Sequence, residues 1–311
     1  MHLREVIVVL MKNPTISIST NNKITGFLAA GAVVCIWSTW IVVSRAGAIS
    51  NLTVFDMTAM RFGISSVIIF PYVLYHKPWN TLNLNKIFFL TFVLGPLYIL
   101  AVFFGFRYAP ASHGAVFMNG LLPAMSLIAG FFIFKNKPRL FQVIGSVIIL
   151  LSIAGLSLSS KDLNFSLSWK GDILFLIGGI FFTAYVVANR AWKISLAEFF
   201  LCSSLINGFL FIPIWYFFLP SGLHLATLNQ IVLQSIYQGI IPPLIGLVLV
   251  AHAVRRIGSD ATSSMMAAVP GLAALLGTIF LNEVLNLNSW LSIFALTVGI
   301  AVTSWSGKFK F

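Results

Sequence analysis

Apolar runs dominate the chain and are interrupted at regular intervals by short polar stretches. A helix needs ~20 apolar residues to cross a bilayer, whereas a strand of a membrane barrel shows a ~10-residue alternating pattern. Only these two structures satisfy every backbone polar group within lipid. The runs have the helical length, so the sequence predicts an all-α membrane protein. Its ten predicted transmembrane helices cover residues 24–44, 54–75, 87–107, 111–134, 139–159, 171–189, 196–218, 230–252, 259–281 and 287–306.

The composition agrees with lipid as the main solvent. Of 311 residues, 59% are hydrophobic and 8% are charged, against about 25% charged in an average soluble domain. The connections between the runs are short, which leaves no room for a soluble domain. The net charge of +12 comes from Lys and Arg residues spread singly between apolar runs. Because they form no basic stripe, nucleic acid is not an expected partner.

Lys and Arg fall unequally on the two sides of this topology. Four lie on one side, namely Arg45, Arg107, Lys161 and Lys170, while Arg61 lies within a predicted span. The other fourteen lie on the opposite side, together with both termini. Cytoplasmic loops of membrane proteins are enriched in Lys and Arg, so both termini are expected in the cytoplasm.

The second half of the chain repeats the first. Residues 26–46 align with residues 171–191 without a gap, and Asp56 and Pro71 align with Glu198 and Pro213. Four more pairs share an offset of 147 residues: Pro96 with Pro243, Pro123 with Pro270, Gly130 with Gly277, and Asn136 with Glu283.

Each repeat contains five helices, so the second copy enters the membrane upside down relative to the first. We expect a cytoplasmic tail at residues 1–23, a first repeat at 24–160 and a second repeat at 161–311 that ends in a short cytoplasmic tail. Inverted repeats give two arrangements of similar energy, each open to one side, with a binding site at the midplane. The fold class is therefore predicted as ten transmembrane helices in two inverted five-helix repeats.

Short motifs recur on the predicted helices of both halves. They are Trp37-Ser38, Arg61-Phe62, Leu122-Pro123, the stretch 253–258, Val269-Pro270, Gly277 and Leu281-Asn282-Glu283. In these motifs the chain resembles the EamA-type, ten-helix branch of the drug/metabolite transporter superfamily from Ile24 to Ser306. Asn136 departs from that pattern, because the first repeat of the family usually carries an acidic residue there.

The resemblance implies a transporter of small metabolites in a bacterial inner membrane. In that architecture helices 1, 3, 4, 6, 8 and 9 line a central cavity, and helices 5 and 10 lie outside it. The expected function is secondary transport of a small neutral or zwitterionic metabolite, such as an amino acid, by alternating access. The expected partners are this small molecule and the lipid bilayer, and the chain is expected to be a monomer or a weak oligomer.

Aromatic residues near the middle of helices 1 and 3 are the first candidates for substrate contact. Trp37, Trp40 and Tyr98 approach the midplane of the membrane, where they would form a cage for a planar or cationic ligand. Ordinary packing is the alternative, because 14% of the chain is aromatic.

Polar residues within spans are the second set of candidates, because hydrocarbon penalises polar groups that lack partners. Asn119, Tyr185, Tyr237 and Gln238 are candidate substrate-binding residues. Hydrogen bonding between helices is the alternative for each of them. His113 lies close to a helix end, which favours a satisfied interfacial histidine over a proton carrier.

Two charged residues have separate expectations. Intramembrane charges usually face a bundle interior or an aqueous cavity. Arg61 would therefore meet a substrate carboxylate or serve the structure, and the structural reading is favoured because helix 2 is not expected to line the cavity. Glu283 lies at the outer end of helix 9, where a capping or gating role is expected.

No catalytic or metal site is predicted, and neither is a cofactor, because the sequence lacks a phosphate-binding glycine loop and a metal-spaced cluster. Three alternative functions remain open. A multidrug exporter of the small multidrug resistance type would need a carboxylate in helix 1, which has none between Ile24 and Ser44. A nucleotide-sugar or phosphate-ester carrier would need several basic residues in the cavity. A non-transporting membrane subunit is the third.

Overall fold

The computed structural model of the protein describes residues 20–159 and 167–304. The predicted N-terminal tail at 1–23 lies outside the described residues except for its last four positions. Within the described ranges, ten helices are long and apolar enough to cross a membrane, as predicted. They are α1 (Lys23–Ala48), α2 (Val54–His76), α3 (Leu84–Tyr108), α4 (Ala111–Phe134), α5 (Leu140–Ser159), α6 (Ser168–Trp192), α7 (Leu196–Phe218), α8 (Leu228–Ser259), α9 (Ala261–Leu281) and α10 (Leu287–Ser304).

Equivalent helices begin with the same local device. Thr53 caps α2, and its side chain accepts the backbone N–H of Asp56 while the Asp56 carboxylate accepts the N–H of Thr53. Ser195 and Glu198 form the same reciprocal pair at the start of α7. Each reciprocal pair, known as a capping box, satisfies two backbone N–H groups that have no partner within the helix. Asp56 and Glu198, which the repeat aligns, therefore lie at the starts of two equivalent helices.

The ends of α4 and α9 also match at the level of single hydrogen bonds. Lys135 and Asn282 both take a left-handed conformation, with φ of 56° and 54°. Each donates its N–H to the glycine carbonyl five residues earlier. The next residues, Asn136 and Glu283, donate their N–H groups to the same two carbonyls at 3.1 and 3.3 Å. Asn136 and Glu283 thus occupy equivalent backbone positions in the two repeats.

Helix packing follows the inverted repeat. The first helix of one repeat, α1, packs on α8 and α9, and its equivalent α6 packs on α3 and α4. The second helices, α2 and α7, pack on each other, and so do the last helices, α5 and α10. A two-fold axis in the membrane plane produces this set of pairs. The prediction of two inverted five-helix repeats is confirmed.

Candidate functional site

A central cavity of about 300 Å³ lies where the two repeats meet. Its walls come from α1, α3, α4, α6 and α8, as expected, and also from α2 and α7. The helices α5 and α10 do not contribute to it, whereas α9, which was expected to, has no residue in its lining. Six predicted residues line this cavity: Trp37, Trp40, Arg61, Tyr98, Asn119 and Tyr185.

Aromatic rings cover much of the cavity wall. The ring of Tyr98 stacks on Phe182 with centroids 6.0 Å apart. Tyr185 lies 5.8 Å from Phe182 on one side and 5.2 Å from Phe199 on the other, measured between ring centroids. The wall can therefore hold an apolar or aromatic body, while the hydroxyls and Asn119 supply polar groups.

Irregular helical segments supply another part of the wall. Residues 116–120 in α4, 201–206 in α7 and 241–246 in α8 form π-helical turns. All three segments contribute residues to the cavity lining. Pro242 and Pro243 lie in the last of them, where they remove two backbone donors from the helix. Such turns re-aim side chains and free carbonyls, which is typical of helices at functional sites.

Gln238 and Tyr237 lie away from the cavity. Gln238 is fully buried, and its Oε1 accepts the Trp40 Nε1–H at 2.8 Å. Its Nε2 donates to the Ser44 hydroxyl and to Gln234 Oε1, both at 3.0 Å. Tyr237 packs against the main hydrophobic core. The first half of α8 faces α1 and α2, so these side chains join helices, and Gln238 fixes the orientation of Trp40.

Arg61 lines the central cavity, in contrast to the expectation that helix 2 would stay away from it. Its guanidinium carbon lies 5.8 Å from the centroid of the Trp40 ring. Its Nη1 atom is buried and has no hydrogen-bond partner in the described part of the chain. The side chain therefore places a positive charge and an unused donor at the cavity.

A second chamber, which we call the vestibule, opens from the central cavity toward one membrane face. It has a volume of about 860 Å³ and shares Trp37 and Asn119 with the central cavity. Lys137, Arg139 and Arg190 line it, and no Asp or Glu whose side chain the structure describes does so. The two chambers form a path from that face to the middle of the bundle.

A buried ion pair lies at the opposite end of the bundle, and we name it the outer gate for the role that we propose for it. Arg45 Nε lies 3.2 Å from Glu283 Oε1, and the Arg45 guanidinium also donates to the Phe106 carbonyl. The two Glu283 carboxylate oxygens accept the Ala111 N–H at 3.0 and 2.9 Å. Burial raises the pKa of Glu283, and the Ala111 N–H and Arg45 oppose this rise. The gate joins α1, α3 and α4 to Glu283, which lies two residues beyond the end of α9.

His113 belongs to a buried polar pair near the outer gate. Its Nδ1 lies 2.6 Å from Asp172 Oδ1, between the starts of α4 and α6. Ser157 donates to the other oxygen of Asp172 at 3.2 Å. His113 is outside the cavity lining, so the structure places it as a partner in an interhelical contact.

The residues equivalent to the outer gate lie at the vestibule. Arg190 corresponds to Arg45, and Asn136 corresponds to Glu283. Both line the vestibule, where the Arg190 guanidinium carbon lies 4.8 Å from the centroid of the Phe134 ring. Asn136 carries no charge, so this face lacks the carboxylate that the outer gate uses.

Sequence reasoning missed several lining residues. Phe62, Ser203 and Ser204 line the cavity from α2 and α7, and the two serines are adjacent polar residues within a span, a signal that was available. Among the described residues, no group of three His, Cys, Asp or Glu side chains is placed to hold a metal ion.

Comparison with known proteins shows what the chain is similar to in sequence and in fold. Residues 24–158 and 169–305 each match the EamA-like transporter family. The "Uncharacterized transporter YwfM" of Bacillus subtilis (strain 168) is 26% identical over 218 residues, which is 67% of this chain and 68% of that protein. A solved structure described only as "Crystal structure of protein" aligns with a TM-score of 0.60 at 16% identity, covering 91% of this chain and 97% of that chain, a likeness of fold alone. Because the family matches most of the chain in two consecutive copies, the protein belongs to the EamA-like transporter family of the drug/metabolite transporter superfamily.

Proposed function

We propose that the protein is a secondary transporter that moves a small metabolite by alternating access. One observation carries this proposal: the central cavity continues into the vestibule at one face and is closed by the outer gate at the other. The two repeats form equivalent sets of contacts, so exchanging their conformations would close the vestibule and open the gate. No enzymatic step is proposed.

The proposed substrate is a small metabolite with an apolar portion and polar ends, and a neutral or zwitterionic compound such as an amino acid is the leading candidate. A cavity of about 300 Å³ lies at the small end of the range for ligand pockets. The aromatic wall around Tyr98 fits the apolar portion, and Asn119 and Tyr185 fit the polar ends.

The proposed location is the bacterial inner membrane, with both termini in the cytoplasm. The vestibule with its three basic residues then faces the cytoplasm, in agreement with the positive-inside rule. The structure would thus represent an inward-open state. Reporter fusions after Phe311 and within the loop 161–170 should give opposite signals, and equal signals would refute this topology.

Transport is tested by counterflow in proteoliposomes. Vesicles preloaded with a neutral amino acid, an aromatic amino acid or a nucleotide sugar are given the same compound in labelled form outside. We expect labelled uptake with the amino acids and none with the nucleotide sugar. A preference for the nucleotide sugar would favour the phosphate-ester alternative, preferred exchange of organic cations would favour a multidrug carrier, and silence across a broad metabolite panel would favour a non-transporting subunit.

A further inference from the structure

The central cavity holds an unbalanced positive charge. Arg61 is its one charged lining residue within the described ranges. The Nη1 atom is buried and lacks a hydrogen-bond partner there, and the nearby Trp40 ring offers a π face but no acceptor. A cation inside a membrane protein is costly unless it is paired. We infer that Arg61 binds a carboxylate group of the transported ligand, which rests on the proposed function and names the charged group of its substrate.

The chemistry of the guanidinium favours this group. Arginine presents donors in a planar fork, and a carboxylate accepts two of them in parallel. No described Asp or Glu lines the central cavity, so no protein carboxylate competes for Arg61 there. The Trp40 ring lies 5.8 Å from the guanidinium carbon, and Gln238 holds the indole in place by accepting its Nε1–H.

The route to Arg61 has the same polarity. Lys137 and Arg190 line the vestibule together with Arg139, and no Asp or Glu whose side chain the structure describes lines it. A cleft lined by one sign of charge raises the local concentration of ligands of the opposite sign. Both chambers along the path therefore favour a ligand that presents a negatively charged group, as an organic acid or the carboxylate end of a zwitterion does.

The same charges define the class of ligand. A monocarboxylate with an apolar body would pair with Arg61 and pack against the aromatic wall around Tyr98. An ammonium group on that ligand would find no described acidic partner in the cavity, so the carboxylate is the required group and the ammonium is not. A dianionic phosphate ester would leave one negative charge without a counter-ion.

The test compares acids with their amides, which have nearly the same shape but no charge. Binding of hydrocinnamate, hydrocinnamamide, isocaproate, isocaproamide and phenylalanine is measured by calorimetry on the full chain in lipid nanodiscs. We expect each acid to bind about tenfold or more tightly than its amide, the range of a charge-assisted hydrogen bond. Phenylalanine should bind no more tightly than hydrocinnamate, its deaminated analogue.

Three variants assign the effect to one side chain. In Arg61→Gln the preference for acid over amide should fall to about onefold, whereas Arg61→Lys should retain part of it. Arg107→Gln is the matched control, because Arg107 is exposed and outside the cavity; it should keep the full preference. If Arg61→Gln fails to fold, the ratio of acid to amide affinity in the wild type and in Arg61→Lys still tests the inference.

Several results would overturn the inference. They are equal binding of acid and amide to the wild type, an unchanged preference in Arg61→Gln, and absence of acid binding altogether. Tighter binding of phenylalanine than of hydrocinnamate would contradict the claim about the ammonium. Because this assay measures binding, robust counterflow with equal acid and amide affinity would refute the role of Arg61 alone. Acid-selective binding without counterflow of any compound would refute transport alone.

Discussion

Glu283→Gln is the perturbation that tests the outer gate most directly. The substitution removes the carboxylate charge that faces Arg45 but keeps an oxygen that can accept the Ala111 N–H. The Arg45 and Glu283 side chains are only 12% and 7% exposed, so solvent screens their attraction poorly. Loss of the charge should destabilise the outer-closed arrangement, which contains the ion pair, relative to the outward-open arrangement.

The size of the effect follows from what the substitution leaves in place. Removing one partner of a buried ion pair costs ~3–5 kcal/mol. Here glutamine retains the hydrogen bond to Ala111, and Arg45 retains its bond to the Phe106 carbonyl. We therefore expect a shift of ~1–2 kcal/mol, which changes the ratio of the two arrangements by a factor of ~5–30.

Thiol labelling measures this ratio. Ser112 follows Ala111 and is fully buried near the gate, so Ser112→Cys in a chain that lacks Cys35 and Cys202 reports opening of the outer face. The labelling rate in nanodiscs should rise ~5–30-fold in Glu283→Gln. Arg107→Gln, which removes an exposed charge on the same side, should leave the rate unchanged.

Two measurements distinguish opening of the outer gate from a general loss of packing. A labelling rate that Glu283→Gln does not change, in a protein that remains folded, would refute the gate. General loosening is excluded by a second reporter chain that retains only Cys202, which is fully buried. Its labelling rate should be the same with and without the substitution at Glu283.

Three further predictions concern the other face and the cavity. Asn136→Glu supplies the missing carboxylate at the vestibule, so it should favour the outward-open arrangement and raise the labelling rate of the same outer reporter. Trp37→Ala and Tyr98→Ala should lower transport about tenfold with little change in the amount of folded protein, and a variant that fails to accumulate would show a packing role instead. Gln238→Ala should lower the free energy of unfolding by ~1–3 kcal/mol, visible as a lower Tm, because the Trp40 N–H loses its acceptor while Ser44 Oγ and Gln234 Oε1 lose their donor; an unchanged Tm would contradict this.

The helices and their correspondence between the two repeats were predictable from the sequence, because they depend on the length of the apolar runs and on the internal repeat. Apolar runs of spanning length define the spans, and the offset of 147 residues correctly aligned Asn136 with Glu283. Helix ends were less accurate. The first helix was predicted to end at residue 44 but continues to Ala48. This places Arg45 in the last turn of the helix, within reach of Glu283.

The side of each helix that faces the cavity was not predictable in the same way. Lipid tails are as apolar as a protein core, so a membrane helix lacks the polar stripe that marks the outer face of a soluble one. Gln238 and Tyr185 look equivalent as polar residues within spans, yet one joins helices and the other lines the cavity. A structural role was favoured for Arg61 because the family resemblance did not place helix 2 at the cavity, whereas α2 does contribute to the lining.

The outer gate contains a carboxylate and the equivalent position at the vestibule, Asn136, does not. This difference would give the carrier a different apparent affinity at each face. A carrier that rests open toward one side displays its intrinsic Kd there. At the other side, the apparent Kd is weakened by the small fraction of molecules that face it. With Asn136 in place of a carboxylate, the protein would load at low solute concentration from the vestibule side and rebind released solute poorly. In such a carrier the difference in apparent Kd between the two faces would result from a single uncharged side chain and would require no coupling ion.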